Sequence, residues 1–323
     1  MARVEREGSF VSGGEGLWPS LGNLRFRQPN TWALSYARVA LALLLALATA
    51  LAPLSEADAR SRSRLRAGGT PAVASAIVVD MNGGHILYAQ DPDAPRGPAS
   101  LTKMMTLYVL FSYLRAGSIN PDSELVVTPY AASQAPTKLG LKPGETISAA
   151  DAIKALVTQS ANDAAVTIAE NLGGTEENFA RVMTAKARSL GMTGTTFRNA
   201  SGLPNPEQVT TARDMAMLSQ HLIRDFPEYY SVFSAKYFVY HGRNFRNHNH
   251  LLFSYRGTDG IKTGYTRASG YNLCASVHRD DKHLIAVVLG GRTGSQRDAA
   301  MRGLLDRHLP LALVGAPSAP SLV

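Results

Sequence analysis

Apolar and polar positions along the chain divide it into three zones. Residues 74–79 form a β-type apolar run, Asn82-Gly83-Gly84 is a turn signal, and residues 85–89 can return as the partner strand. Residues 100–114 are apolar almost without interruption and stop near Gly117, the pattern of a buried helix. From there to 147 the pattern breaks into short strand-like pieces around Pro129, Pro136 and Pro143. The middle is helical. Ser148 stands as an N-cap before Ala152, Ile153, Leu156 and Val157 at helical spacing. Gln159-Ser160-Ala161-Asn162 interrupts before a second helix that starts at Asp163 and stops at Gly173-Gly174. Further helices are expected over 176–190 and 211–226. The last third returns to β: runs 272–277 and 283–289 flank Arg279-Asp280-Asp281-Lys282 as a hairpin, and 296–308 closes the chain as a helix. Hairpins at both ends and helices between them predict an α+β fold, one antiparallel sheet flanked by helices with a helical subdomain.

Composition narrows this little. The chain has 323 residues, 45% hydrophobic and 18% charged, enough to bury a sizeable core. The net charge of +8 leaves anionic partners open. The single cysteine, Cys274, excludes an intrachain disulfide or a cysteine-cluster metal site and reads as a small core residue.

The N-terminus changes the picture more. Residues 39–54 are uncharged and rich in Leu and Ala, Arg38 precedes them, and Ala57-Asp58-Ala59 is a small-x-small site. That is a secretory signal layout, with cleavage expected after Ala59. The run is short for a membrane span, so an uncleaved N-terminal anchor is the lesser alternative. Residues 60–73 read as a flexible leader and 310–323 as a disordered tail. Five Arg and five acids lie in 1–59, so the remainder keeps its +8. For an exported protein this favours an anionic envelope polymer over nucleic acid.

Three short motifs carry candidate chemistry. In Ser100-Leu101-Thr102-Lys103 the serine and lysine lie three apart on one helix face, so the amine can reach the hydroxyl. A serine needs a base to become a nucleophile, and a lysine in an apolar helix is desolvated toward the neutral amine. Alone, the pair also fits an N-cap serine with a snorkelling lysine. Ser160-Ala161-Asn162 puts a hydroxyl and an amide at a helix break, where ordinary capping is the alternative. Lys262-Thr263-Gly264 stands before a strand, with a glycine that permits close backbone approach. His248 and His250 could share one face of a strand, but no third ligand is nearby and no metal is expected. The aromatics Tyr229, Tyr230, Phe233, Tyr237, Phe238 and Tyr240 read as hairpin or core.

Together the motifs occur in the order seen in β-lactamases and penicillin-binding proteins. From about Ala74 to Leu309 the chain resembles the low-molecular-mass penicillin-binding proteins that are serine-type D-alanyl-D-alanine carboxypeptidases, peptidase family S11. The resemblance extends to Thr196-Phe197-Arg198-Asn199, Gly202-Leu203, Asn247-x-Asn249, Gly270-Tyr271-Asn272 and Gly290-Gly291-Arg292-Thr293. It implies a β-lactamase/transpeptidase-like catalytic domain over 74–309. Ser100 would attack the penultimate D-Ala carbonyl with Lys103 as base, and Ser160 with Lys262 would pass a proton to the leaving amine. Asn162 would bind the peptide amide, and Lys262, Thr263 and Arg297 the terminal carboxylate. Gly264 would allow close approach, and the N–H groups of Ser100 and Tyr265 would form the oxyanion hole.

The implied partners are peptidoglycan stem peptides ending in D-Ala-D-Ala, with β-lactams as covalent inhibitors, in the periplasm and without a cofactor. Tyr265 departs from the histidine many members carry there. Several members also have a C-terminal β-domain and an amphipathic anchor, neither expected here. A DD-endopeptidase acting on crosslinks and an inactive peptidoglycan-binding module are the alternatives. A β-lactamase is disfavoured, since no Glu-x-x-x-Asn lies between Asn162 and Lys262.

Overall fold

A computed structural model describes residues 73–315. The expected signal segment, the leader to residue 72 and the tail from 316 lie outside the described residues. In chain order the strands are β1 (Ser75–Asp80), β2 (Ile86–Gln90), β3 (Glu124–Val126), β4 (Thr146–Ser148), β5 (Tyr237–Tyr240), β6 (Arg243–Arg246), β7 (Thr258–Thr266), β8 (Gly270–Arg279) and β9 (Lys282–Gly291). The helices longer than one turn are α1 (Thr102–Arg115), α2 (Ala149–Thr158), α3 (Asn162–Gly173), α4 (Glu176–Ser189), α5 (Ala212–Asp225) and α6 (Gly294–His308).

The main sheet is antiparallel throughout, in the order β2-β1-β9-β8-β7, so the C-terminal strands close against the N-terminal hairpin. Strand alternation sorts its side chains. Ile77, Val79, Ile285 and Val287 face the core built on α1 and α5, while Ala76, Val78, Ala286 and Val288 face Met301, Leu304 and Leu305 of α6. Both faces of the central strands are thus covered, which is why β1 and β9 read as continuous apolar runs. The β8–β9 turn places Asp280 and Asp281 at φ 55° and 56°, the conformation that matches hairpin twist. The strand pairs β3–β4 and β5–β6 form two further small sheets beside the one expected.

Helix α1 is buried on nearly every side, from Thr102 through Phe111, because α2, α3, α4 and α5 pack around it, with α5 between it and the sheet. Its lack of an apolar stripe follows from that position. Ser148, Thr175, Thr211 and Thr293 each cap a helix through the side-chain oxygen. Phe111, Phe226, Tyr229 and Phe233 pack ring against ring beside α1, so these aromatics are core. The exposed Tyr237 lies on the β5–β6 hairpin.

Two expectations are corrected. Residues 310–315 are not loose: Leu313 N–H donates to Asp80 Oδ2 at 3.0 Å, and Asn82 Nδ2 donates to Leu313 O at 2.8 Å. His248 and His250 do not lie in a strand; they sit in the loop before the short helix Leu251–Ser254, whose shape is held by Asn249 Nδ2 donating to Gly260 O at 3.0 Å. Among the described residues no helix is long and apolar enough to cross a membrane.

Candidate active site

Ser100 sits in a single 3-10 turn, Ala99–Leu101, that leads into α1. The turn is held from behind. Asn272 on β8 donates through Nδ2 to Gly97 O at 2.9 Å and Pro98 O at 3.2 Å. Ala99 adopts φ +48°, a left-handed conformation costly for a residue with a Cβ and sustained here by those contacts. The edge strand β7 passes in front. A Cβ on Gly264 would lie 3.0 Å from Ser100 N and 3.1 Å from Pro98 O, so only glycine lets the strand approach this closely.

Lys103 stands one turn into α1 and is fully buried. Its Nζ is 3.1 Å from Ser100 Oγ, 2.7 Å from Asn162 Oδ1 and 2.5 Å from Ser201 O. All three neighbours are uncharged. Burial is the largest cause holding its pKa well below the ordinary lysine value, and the nearby Lys262 adds to it. A neutral amine has two N–H donors and one lone pair. The Asn162 and Ser201 oxygens take the donors, which leaves the lone pair for the Ser100 hydroxyl. The spacing predicted the Ser100–Lys103 contact, but the other two partners arrive from across the fold.

Ser160 and Asn162 flank the break between α2 and α3. Ser160 takes φ +59°, and its buried Oγ has no hydrogen-bond partner among the described residues. Such an orphaned hydroxyl is unusual unless a ligand or reacting group meets it. The amide of Asn162, expected to face a peptide, is engaged within the protein: Oδ1 receives Lys103, and Nδ2 donates to Ala135 O at 2.8 Å. The neighbouring Asp163 accepts from the N–H groups of Leu139, Gly140 and Leu141, which fixes the loop that brings Pro136 and Thr137 to the cleft.

Lys262 is buried in β7 with its Nζ 3.0 Å from Thr263 O. Burial first, and Arg297 second, push its pKa down to about 7. Arg297, in the first turn of α6, is also buried; its Nε and second terminal nitrogen lie 2.9 and 2.7 Å from Asp298 Oδ1. Asp298 Oδ2 in turn lies 3.1 Å from His250 Nδ1. Ser100, Ser160, Asn162, Thr263, Gly264 and Tyr265 line one cleft of about 400 Å³, with Arg297 and Gly202 also on its wall. Tyr265 is half exposed at the mouth, its ring 4.2 Å from that of Tyr271. Lys103 and Lys262 stand behind this wall. All nine expected site residues therefore come together around one cleft.

Three contributors went unassigned in the sequence. Ser201 offers its carbonyl to Lys103. Gly202, at φ +85°, lies so close that a Cβ would meet Ala99 O at 1.9 Å. Thr196-Phe197-Arg198-Asn199 and Gly202-Leu203 on either side belonged to the resemblance, but Ala200-Ser201 between them did not; Glu176 Oε1 and Thr106 Oγ1 anchor this stretch through the N–H and carbonyl of Ala200. His248 also lines the cleft, where burial, then the positive charge of Lys262, depress its pKa to about 4 and keep it neutral. Among the described residues no group of three His, Cys, Asp or Glu could hold a metal ion.

Comparison with known proteins agrees with this geometry. Residues 65–293 match the family described as D-alanyl-D-alanine carboxypeptidase. The chain is 40% identical over 224 residues to the D-alanyl-D-alanine carboxypeptidase DacC of Escherichia coli (strain K12), covering 67% of this chain and 56% of that one. It thus spans little more than half the length of that curated relative. Its structure resembles penicillin binding protein 5 from Haemophilus influenzae, with TM-score 0.72 and 35% identity over 75% of this chain and 72% of that one. It also resembles Penicillin-Binding Protein D2 from Listeria monocytogenes in its ampicillin-bound form, with TM-score 0.64 and 32% identity over 73% of this chain and 96% of that one. By matched length and by fold, the chain belongs to the D-alanyl-D-alanine carboxypeptidase family.

Proposed function

We propose that this protein is an exported serine DD-carboxypeptidase that removes the terminal D-Ala from peptidoglycan stem peptides. Residues 74–309 are its catalytic domain, and it takes β-lactams as covalent inhibitors. The observation that carries the reading is the placement of Lys103: buried, with Nζ 3.1 Å from Ser100 Oγ and neutral oxygens as its other two partners. A surface ion pair or a mere cap would not bury an amine without a counter-ion.

The terminal carboxylate of the substrate is held by Thr263, Lys262 and Arg297. That places the penultimate D-Ala carbonyl at Ser100. Lys103 takes the hydroxyl proton as Oγ forms the C–O bond, and the N–H groups of Ser100 and Tyr265 receive the oxyanion. Collapse breaks the amide C–N bond, and the proton held on Lys103 passes by way of Ser160 Oγ, with Lys262 beside it, to the departing D-Ala amine, which returns Lys103 to the neutral amine. Water, deprotonated by Lys103, then hydrolyses the ester and frees Ser100. Asn162 acts on Lys103, orienting its amine. The ampicillin-bound form of the Listeria protein supports β-lactam reactivity by likeness. Export rests on the signal layout upstream of residue 60.

The test is D-Ala release from a linear pentapeptide beside a crosslinked muropeptide dimer, with the Ser100→Ala variant as control. Release from the linear peptide by the wild type alone is expected. Cleavage of the crosslink in preference to the linear peptide would make the protein an endopeptidase.

A further inference from the structure

Two hollows lead away from the cleft along the same edge. The first, about 400 Å³, shares Gly202, Leu203 and Thr266 with the cleft and runs under the β7–β8 turn. The second, about 530 Å³, shares Ala268 and Ser269 with the first and Tyr265 with the cleft. Three arginines line the second hollow, Arg96, Arg267 and Arg292, and no Asp or Glu does. Arg96 donates only to neutral oxygens, Ser75 Oγ at 3.0 Å and Ala74 O at 3.4 Å. Arg267 and Arg292 are exposed and have no ion pair among the described residues. Three guanidinium groups around one hollow repel each other unless an anion enters it.

The edge strand sets the distance. A peptide with its terminal carboxylate at Thr263 and its scissile carbonyl at Ser100 extends along β7 toward Arg267. Thr263 and Arg267, the first residue of the turn after β7, are four residues apart, about 13 Å at strand rise. An extended peptide covers that length in three to four residues, so its third or fourth residue from the C-terminus arrives at the arginines. We propose that this arginine-lined hollow is a subsite for a free carboxylate carried by the substrate peptide upstream of the scissile bond, and that it selects acidic stem peptides over amidated ones. The proposal rests on the carboxypeptidase reading above and names its substrate class.

The experiment compares two pentapeptides ending in D-Ala-D-Ala, identical except that the side-chain carboxylates of their second and third residues are free in one and amidated in the other. Wild-type protein is expected to cleave the acidic peptide with kcat/KM about tenfold higher, a preference that shrinks in high salt. The Arg267→Gln/Arg292→Gln double variant should cleave the two within about twofold of each other. Its acylation by benzylpenicillin, too short to reach the hollow, should stay within about twofold of wild type. Equal cleavage by the wild type, or an undiminished preference in the double variant, overturns the proposal. If neither peptide is cleaved, the carboxypeptidase reading fails and the subsite is decided by binding alone. Fluorescence anisotropy of the two labelled peptides on Ser100→Ala protein, with and without the two Gln substitutions, then supports it by an acidic preference that the substitutions remove. Equal binding of the two peptides refutes it.

Discussion

Replacing Lys262 with Met should make the protein more stable and less active. Lys262 is 1% exposed, and its pKa falls from 10.5 to about 7 through burial. A depression of that size corresponds to about 5 kcal/mol at roughly 1.4 kcal/mol per unit, an upper bound on what the charged amine costs the folded state. Between about pH 7 and pH 10.5 the unfolded chain binds the proton and the native one does not. Wild-type stability therefore rises with pH across this window, and the cost is fully present below it. Methionine has similar length and no charge. The substitution loses the bond to Thr263 O, worth about 1 kcal/mol, and relieves Lys103 of a like charge. The expected outcome is a gain of about 2–4 kcal/mol at pH 7 that fades to nothing or slightly below by pH 10. Urea denaturation followed by far-UV circular dichroism at pH 7, 8.5 and 10 reads this as the difference between the two proteins, in which the groups far from Lys262 cancel. Penicillin acylation should fall at every pH. A variant less stable than wild type at pH 7, or a stability difference that ignores pH, would refute the argument that burial sets the state of this lysine.

Three further outcomes follow from the geometry. Gly202→Ala puts a Cβ into Ala99 O and a side chain at φ +85°; a loss of about 2–5 kcal/mol is expected, read as a melting point lower by roughly 5–15 °C, and an unchanged melting point would contradict the close approach. Asn162→Leu removes one of the two acceptors that orient Lys103 and should slow penicillin acylation by about a hundredfold while peptide KM changes little; a large KM rise with unchanged acylation would return Asn162 to substrate binding. Because the depressed Lys103 pKa must be exceeded for the amine to act as base, the acylation rate should fall as pH drops through it, and Lys103→Arg, always charged, should abolish acylation at every pH tested. A Lys103→Arg protein that acylates normally would exclude the lysine as base.

Local features of this site were legible in the sequence. Ser100 and Lys103 meet because residues three apart share a helix face, and the Ser160–Asn162 break shows itself as capping residues between two apolar stretches. The β8–β9 hairpin and its turn were visible because the sheet is covered on both faces, which gives long apolar runs, whereas the edge strand β7, with Gly260 and Gly264 in it, was not read as a strand. The expected roles could name Asn162 but not find its partner, since Lys103 lies 59 residues away and only the packing of α1 against α3 joins them. The Ser201 carbonyl, 98 residues from Lys103, and the Asn272 amide, 174 from Pro98, are backbone-directed contacts that leave no periodicity. His248 and His250 were misplaced for a related reason: their alternation looks like a strand, but Asn247 and Asn249 turn the backbone through bonds to Ala235 O and Gly260 O. The ordered stretch 310–315 was hidden by the Pro/Ala-rich composition of the segment 310–323 as a whole, and what orders it is the buried Asp80 carboxylate and Asn82 amide.

Intact-protein mass spectrometry after incubation with benzylpenicillin, on wild type beside Ser100→Ala, tests the central claim that Ser100 is the nucleophile of an acyl-enzyme. A stable gain of one penicillin mass on the wild type and none on the variant is the predicted result. An adduct on both proteins, or on neither while the peptide is still cleaved, would contradict it.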